Sequence, residues 1–305
     1  MEIVLSNPVF WSSPIFLLFI LGEWLYCKLK GLHHVYSYKD FLVNSFMTTG
    51  VLLMEFVFKF GSAAAIFYFS YHLFNLEIDG VRMNFLGYES FGWAWYLWGI
   101  CIFLDDFSHY WVHRWNHTIR FMWASHIVHH SSEHFNFGTS FRLDWGSKLY
   151  KPLFYAWIPA IGFHPEMLLF CYGIEMVYQF FLHTSFCPRL KFFNIVFITP
   201  KHHQVHHSKN VEYLDKNHGG IFTIFDKIFG SWRDYDESIE IEYGVTHPPN
   251  LNNPFDILTH GYIAIWRDVK SSKNFHQAFM YVFGPPGWSP DGSSLTVKQL
   301  QEQLE

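Results

Sequence analysis

The sequence predicts an all-α fold: polytopic membrane helices with a cytoplasmic helical cap that holds a histidine-rich di-metal site. Three observations carry this expectation. Hydrophobic residues make up 50% of the 305-residue chain and aromatics 21%, whereas charged residues reach only 15%. A soluble domain carries roughly 25% charge, so the polar surface is too small to coat a water-soluble body of this size. Long apolar stretches alternate with short polar ones. The chain also has 20 histidines against 21 lysines plus arginines, and metal binding is the commonest use for such a surplus of neutral nitrogen ligands.

A bilayer core takes about 20 mainly apolar residues per helix, and residues 10–26, 46–71 and 91–112 meet that requirement. The N-terminus lacks the basic region of a cleaved signal peptide, so its apolar segment is expected to stay as an anchor. Lys28, Lys30 and Lys39 sit between the first two segments, and Glu77, Asp79 and Glu89 face one Arg82 between the second and third. The positive-inside bias then puts the lysine loop in the cytoplasm and returns the chain there after Val112. Residues 152–182 are apolar but interrupted by Pro159, Gly162 and Pro165. One straight helix would lose backbone hydrogen bonds there, so a hairpin entering and leaving on the cytoplasmic side is expected. Arg114, Arg120, Arg142, Lys148, Lys151, Lys191 and Lys201 then share one compartment. Glu55 and Lys59, four apart in the second span, read as a buried pair joining two helices rather than as a substrate or proton path.

Two classes of partner or scaffold drop out early. A net charge of -5 without a basic stripe offers nothing to a phosphate backbone, which excludes nucleic acid as a partner. Cys27, Cys101, Cys171 and Cys187 are scattered singly, the pattern of reduced thiols rather than a disulfide scaffold.

The histidines are patterned. Helical offsets of three and four put Asp106, His109 or Tyr110, His113 and His117 on one stripe at the end of the third span. The next motif, HIVHHS, places His126, His129 and His130 so that a single helical turn aims three imidazoles at one point. TPKHHQVHHS repeats it with His203, His206 and His207, Thr199 being the expected N-cap and Pro200 the first helical residue. His183 stands alone in FFLHTSF. A histidine on an amphipathic face is usually a polar or core residue, but that reading does not account for two HxxHH motifs and an HxxxH at the ends of membrane helices. Nine ligands exceed what one tetrahedral zinc uses, so two metals are the economical count. Imidazole suits iron, copper, zinc and nickel alike, which leaves the metal open at this point.

At these residues the sequence resembles the membrane fatty acid hydroxylase and sterol desaturase superfamily. The likeness runs from Asp106 through DFSHYWVHRWNH, HHSSEHFNFGTSFR, FLHT and TPKHHQVHH to YLDKNHGGIFTIFDKIFGSW. HHSSE, EYGVTHPPN and the late FGPPGW look most like the alkylglycerol monooxygenase-like members. The resemblance implies a di-iron centre that uses O2 to hydroxylate, or remove hydrogen from, a lipid C–H bond. Its ligands would be His113, His117, His126, His129, His130, His183, His203, His206 and His207. The sequence departs from the pattern at His109, where a Tyr is usual, at His218, where an aromatic is usual, and at Thr118, where these monooxygenases carry Glu. No nucleotide-binding fingerprint is visible, so the electrons are expected from a separate donor: a cytochrome, a ferredoxin or a reduced pterin.

Carboxylates near such a centre would offset its charge and fix ring tautomers. Asp106, on the His109–His113 stripe, and Glu133, four residues after His129, are the candidate catalytic-site carboxylates; against each stands the reading as a solvated or structural acid. His109, His134, His202 and His218 are expected to donate hydrogen bonds rather than coordinate. Asn136, Thr139 and Arg142, at helical offsets, are expected to stabilise the cap. The chain thus divides into membrane helices (1–98), a hydroxylase-type catalytic domain containing the hairpin (99–235) and a cytoplasmic tail (236–305), whose end, SLTVKQLQEQLE, reads as a short amphipathic helix. The leading expectation is an integral-membrane lipid oxygenase, with a desaturase using the same site as the alternative. A histidine-rich metal transporter would instead place ligands along a mid-membrane path, and a zinc hydrolase of lipids would leave most of the histidines idle.

Overall fold

The computed structural model describes residues 7–57, 63–190 and 192–304. Helix α1 (Pro8–Lys30) begins where the Asn7 side chain accepts the Val9 N–H and Pro8 takes the first helical position. It ends at Gly31, whose φ of 68° is the left-handed conformation a helix stop requires. Among the described residues it is the helix long and apolar enough to cross a membrane, and little of it is buried in the protein. In the expected second span the described residues on either side of 58–62 are helical, α2 (Tyr38–Val57) before and α3 (Ala63–Phe74) after. Lys59, Lys191 and the side chain of Glu55 lie outside the described residues, so the Glu55–Lys59 pair does too.

The all-α expectation needs one correction. The acidic loop folds into an antiparallel hairpin of β1 (Asn75–Ile78) and β2 (Val81–Asn84), with Asn75 opposite Asn84 and Ile78 opposite Val81. Asp79 and Gly80 make the turn with φ of 50° and 78°, the left-handed pair that Asp-Gly adopts readily in a two-residue hairpin loop.

Helix α4 (Trp95–Thr118) runs unbroken for 24 residues and buries Asp105, Asp106, His109, His113 and His117. The chain turns at Ile119 into α5 (Arg120–His130). The expected hairpin over 152–182 is only half helical: its first arm is short turns around Lys151–Phe154 and α6 (Trp157–Ala160), and only the return arm, α7 (Pro165–Leu182), is long. Pro152, Pro159 and Gly162 break the first arm, as proline and glycine do wherever a ladder needs an N–H or a fixed φ. There follow α8 (Pro200–His206), α9 (Ile224–Ile228), α10 (Pro254–Ser271), α11 (Phe275–Phe283) and α12 (Val297–Glu302).

Three apolar clusters join these pieces. Phe67, Leu97, Cys101, Ile158, Met167 and Leu168 pack α3, α4, α6 and α7 together; Val43, Met47, Val128, Ile257 and Leu258 join α2, α5 and α10; Phe16, Ile20, Phe137 and Phe180 join α1 to α7. Polar knots fix the cap end. Glu23 accepts hydrogen bonds from Tyr36 Oη (2.6 Å), Phe137 N (2.8 Å) and Thr184 Oγ1 (2.5 Å). Arg142 is fully buried and donates to Val128 O, Ser131 Oγ, Asp40 and Asn44. Asn136 and Thr139 form the capping box that starts a 3-10 turn over Phe137–Phe141. The lysine loop sits on this end: Asn136 Nδ2 donates to Val35 O at 2.6 Å and His134 Nδ1 to His34 O at 2.8 Å. The β-hairpin caps the other end, with Asn75 and Asn84 donating to the carbonyls of Pro159 and Ile161.

Candidate metal centre

The ends of α4, α5 and α7 converge with α8, and nine imidazoles meet there in two groups. His113, His117, His126, His130 and His206 form the first and His129, His183, His203 and His207 the second, each with one nitrogen per ring within 4.8 Å of all the others in its group. The HxxHH motifs do not aim three rings at one point, as the spacing led us to expect. Each motif is split: α5 gives His126 and His130 to the first group and His129 to the second, while α8 gives His206 to the first and His203, with the C-cap residue His207, to the second. Neighbouring helical residues diverge by about 100°, whereas residues four apart share a face.

Hydrogen bonds orient the rings. Nδ1–H of His113 donates to His218 O (2.8 Å), that of His206 to Lys216 O (2.8 Å), that of His183 to Gln179 O (2.8 Å) and that of His129 to Arg142 O (3.3 Å). His117 Nδ1 faces the Asp215 carboxylate at 3.4 Å. Each of these contacts turns an Nε2 lone pair inward. The inward nitrogens crowd one another: Nε2 of His113 and His126 are 3.0 Å apart, of His126 and His130 3.2 Å, of His129 and His183 3.1 Å and of His183 and His203 3.0 Å. Imidazole nitrogens bind a divalent ion at about 2.0–2.1 Å, so two at right angles around one ion stand about 3 Å apart. Nε2 of His117, His206 and His207 are buried without any partner. Burial first, then the neighbouring imidazoles, holds His126, His130, His206 and His207 well below the ordinary histidine range, so their rings are neutral and keep the lone pair. Orphaned, converging, neutral nitrogens fit metal ions.

The two carboxylates singled out from sequence do something else. Asp106 reaches no imidazole; its oxygens accept the backbone N–H groups of Gly220 (2.9 Å), Ile221 (2.7 Å) and Phe222 (3.0 Å). The stripe had suggested proximity to His109 and His113, but the 218–222 loop fills that space. Glu133 is exposed, beside Gly244 and away from the rings, because the chain leaves the helix after His130. Of the histidines beside the motifs, His134 and His202 face His34 O and Asp234. His109 sits behind His113, with its Nε2 3.3 Å from His113 Nδ1.

Sequence reasoning missed the acids that do serve the centre. Glu175 on α7 contacts His109 Nδ1 at 2.7 Å and also accepts from Gln179; an acid inside an apolar segment was the available signal. Asp226 accepts the N–H groups of His218 and Gly219, both at 2.8 Å. Asp226 and Asp106 together therefore satisfy five successive N–H groups. The loop thus held presents Asp215, Lys216 O and His218 O to His117, His206 and His113. Its glycines permit the close approach: a Cβ on Gly220 would lie 2.2 Å from Glu175 Oε1 and 2.9 Å from Asp106 Oδ1. Nothing in the local spacing marks Asp215 or Asp226.

Residues 98–231, which contain the two histidine groups and this loop, match the fatty acid hydroxylase family. These residues form a fatty acid hydroxylase domain. Its similarity to named relatives extends beyond the hydroxylase domain. It is 34% identical over 231 residues to alkylglycerol monooxygenase of Homo sapiens, covering 75% of this chain and 48% of the relative. Alkylglycerol monooxygenase of Caenorhabditis elegans is 31% identical over 296 residues, 91% of this chain and 54% of the relative. The chain therefore spans about half the length of these relatives. No solved structure matches it.

Proposed function

We propose that this chain is an integral-membrane di-iron monooxygenase that uses O2 and two external electrons to hydroxylate a lipid C–H bond. One observation carries the reading: nine imidazoles converge in a group of five and a group of four with inward-facing nitrogen lone pairs. His113, His117, His126, His130 and His206 would hold one ion, and His129, His183, His203 and His207 the other. Iron bound there would supply the one-electron chemistry that activates O2, which no side chain provides. The protein's own part is to hold the ligands. The carbonyls of Arg142, Gln179, Lys216 and His218 fix tautomer and ring angle, and the Glu175–His109 pair braces His113 from behind.

The reacting lipid stays with its chain among the apolar helices. The name that the relatives carry, alkylglycerol monooxygenase, supports an alkyl-bearing lipid as the substrate; Thr118, where those enzymes usually carry Glu, argues against a strict pterin dependence, so the electrons come from a cytochrome or a ferredoxin as readily as from a reduced pterin. The reading takes the protein as multi-pass with the centre on the cytoplasmic side; the lysine loop, which packs on the histidine end, supports this together with the positive-inside bias. Metal analysis of the detergent-purified chain, then lipid profiling under labelled O2 with and without it, tests the reading. Iron near two per chain with label in a lipid supports it. One zinc and no label overturn it. His129→Ala and His206→Ala should each lower metal content and abolish labelling, whereas His276→Ala should do neither.

A further inference from the structure

The C-terminal tail carries a feature that the hydroxylase chemistry does not use. α10 seats on α5 so closely that a Cβ on Gly261 would lie 2.9 Å from Ala124 Cα. Ile257, Leu258 and Ile265 are buried on that side. The opposite side is apolar as well: Phe255, Ile263 and Trp266, at helical offsets along one face, are 59%, 42% and 60% exposed. α11 continues the surface with Phe275, Phe279 and Phe283, four residues apart and 84%, 48% and 53% exposed. Their rings follow one another at 6.4 and 5.1 Å. Single exposed apolar residues are ordinary, but a contiguous stripe over two adjoining helices marks a surface that another phase or molecule covers.

Two observations identify the occupant. The junction of the helices is cationic: Arg267, Lys270 and Lys273 are exposed there, Lys270 over the Trp266 ring at 4.8 Å. The nearby acids are engaged, Asp268 with Arg120 and Asp256 with the Asn250 N–H. The stripe is also continuous with the outer face of α2, where Phe46 meets Phe255 edge-on at 5.5 Å and Leu42 and Leu53 are 48% and 60% exposed. We propose that α10 and α11 lie in the plane of an anionic membrane surface, with the Phe and Trp stripe immersed and Arg267, Lys270 and Lys273 at the level of the headgroups. The inference rests on the membrane reading above. Because α10 is seated on α5, this contact sets the height of His126, His129 and His130 relative to the lipid.

The test uses the full chain in nanodiscs of phosphatidylcholine with or without phosphatidylserine. A nitroxide is placed at Phe279→Cys, Leu18→Cys or Ser293→Cys in a Cys187→Ser background. The Phe279→Cys label should be reached by O2 and shielded from a water-soluble nickel chelate, at a depth of about 5–10 Å; the Ser293→Cys label should show the reverse. Phosphatidylserine should deepen the Phe279→Cys label, and adding Lys270→Glu and Lys273→Glu should abolish that response. If Phe279→Cys is as open to nickel as Ser293→Cys while Leu18→Cys reports lipid, the inference is overturned and the membrane reading stands. If Leu18→Cys is itself in water, both fall. Dipolar broadening at Phe279→Cys that disappears on dilution with unlabelled chain shows a second copy covering the stripe and overturns the proposal. An equal depth with and without phosphatidylserine overturns its anionic part.

Discussion

Replacing Asp106 separates two roles a buried carboxylate can have beside a metal centre. Its oxygens accept three backbone N–H groups, those of Gly220, Ile221 and Phe222. Asp106→Ala leaves all three without a partner in a fully buried place. Each unsatisfied buried donor costs about 1–3 kcal/mol, so the loss is at least about 3 kcal/mol by that principle, a large share of the roughly 5–15 kcal/mol that keeps a domain folded. Asp106→Asn keeps the oxygen that serves Gly220 and Ile221 and turns an amide N–H toward Phe222, so it costs about one hydrogen bond, near 1–3 kcal/mol. A carboxylate acting through its charge would make Asn and Ala equally damaging, since both remove it. The anchored loop orients His113, His117 and His206 but no member of the second group. Metal loss in Asp106→Ala should therefore come first from the five-histidine site. The assays are thermal unfolding in detergent, where 3 kcal/mol lowers the midpoint by about 6–12 °C, and metal analysis after dialysis. An Asp106→Ala protein with wild-type midpoint and full metal content, or equal behaviour of Asn and Ala, refutes the anchoring argument.

Further expectations follow from the same geometry. His130→Ala and His207→Ala alter rings from different groups, so each should lower bound metal by about one ion per chain while sparing the other site; loss of the same spectroscopic signal in both would show a wrong partition. Glu175→Gln replaces the carboxylate behind His109 and should weaken metal binding about 10- to 100-fold in a chelator competition, the usual size of an outer-contact loss, with Glu175→Asp recovering part of it; an unchanged affinity contradicts the bracing role. Gly220→Ala pushes a methyl into Glu175 and Asp106 and should cost about 1–3 kcal/mol in unfolding free energy; a neutral effect would mean the loop can retreat. Glu133→Gln, on the surface, should change stability by no more than about 0.5 kcal/mol and leave metal content untouched.

What the sequence determined by itself was chemistry and periodicity: an apolar helical segment before Lys28 and Lys30, a long helix through His109, His113 and His117, a proline-started helix at Pro200, and nine histidines whose spacing marked them as one system. These are local matters, decided by residue type and by offsets of three and four along a helix. The β-hairpin is legible in the same way, from the Asp79–Gly80 pair between two short segments, although the acidic charge of that loop says nothing about it. Tertiary structure alone decided how the nine rings divide, since the 100° between His129 and His130 separates two sites only when α7 and α8 arrive on either side. It also decided which acids matter. Asp106 lies on the right stripe yet binds backbone, whereas Glu175, Asp215 and Asp226 come from elements far away in sequence. A hydrogen bond depends on the distance between atoms, and nothing in the order of residues records which distant loop will fill the space beside a helix.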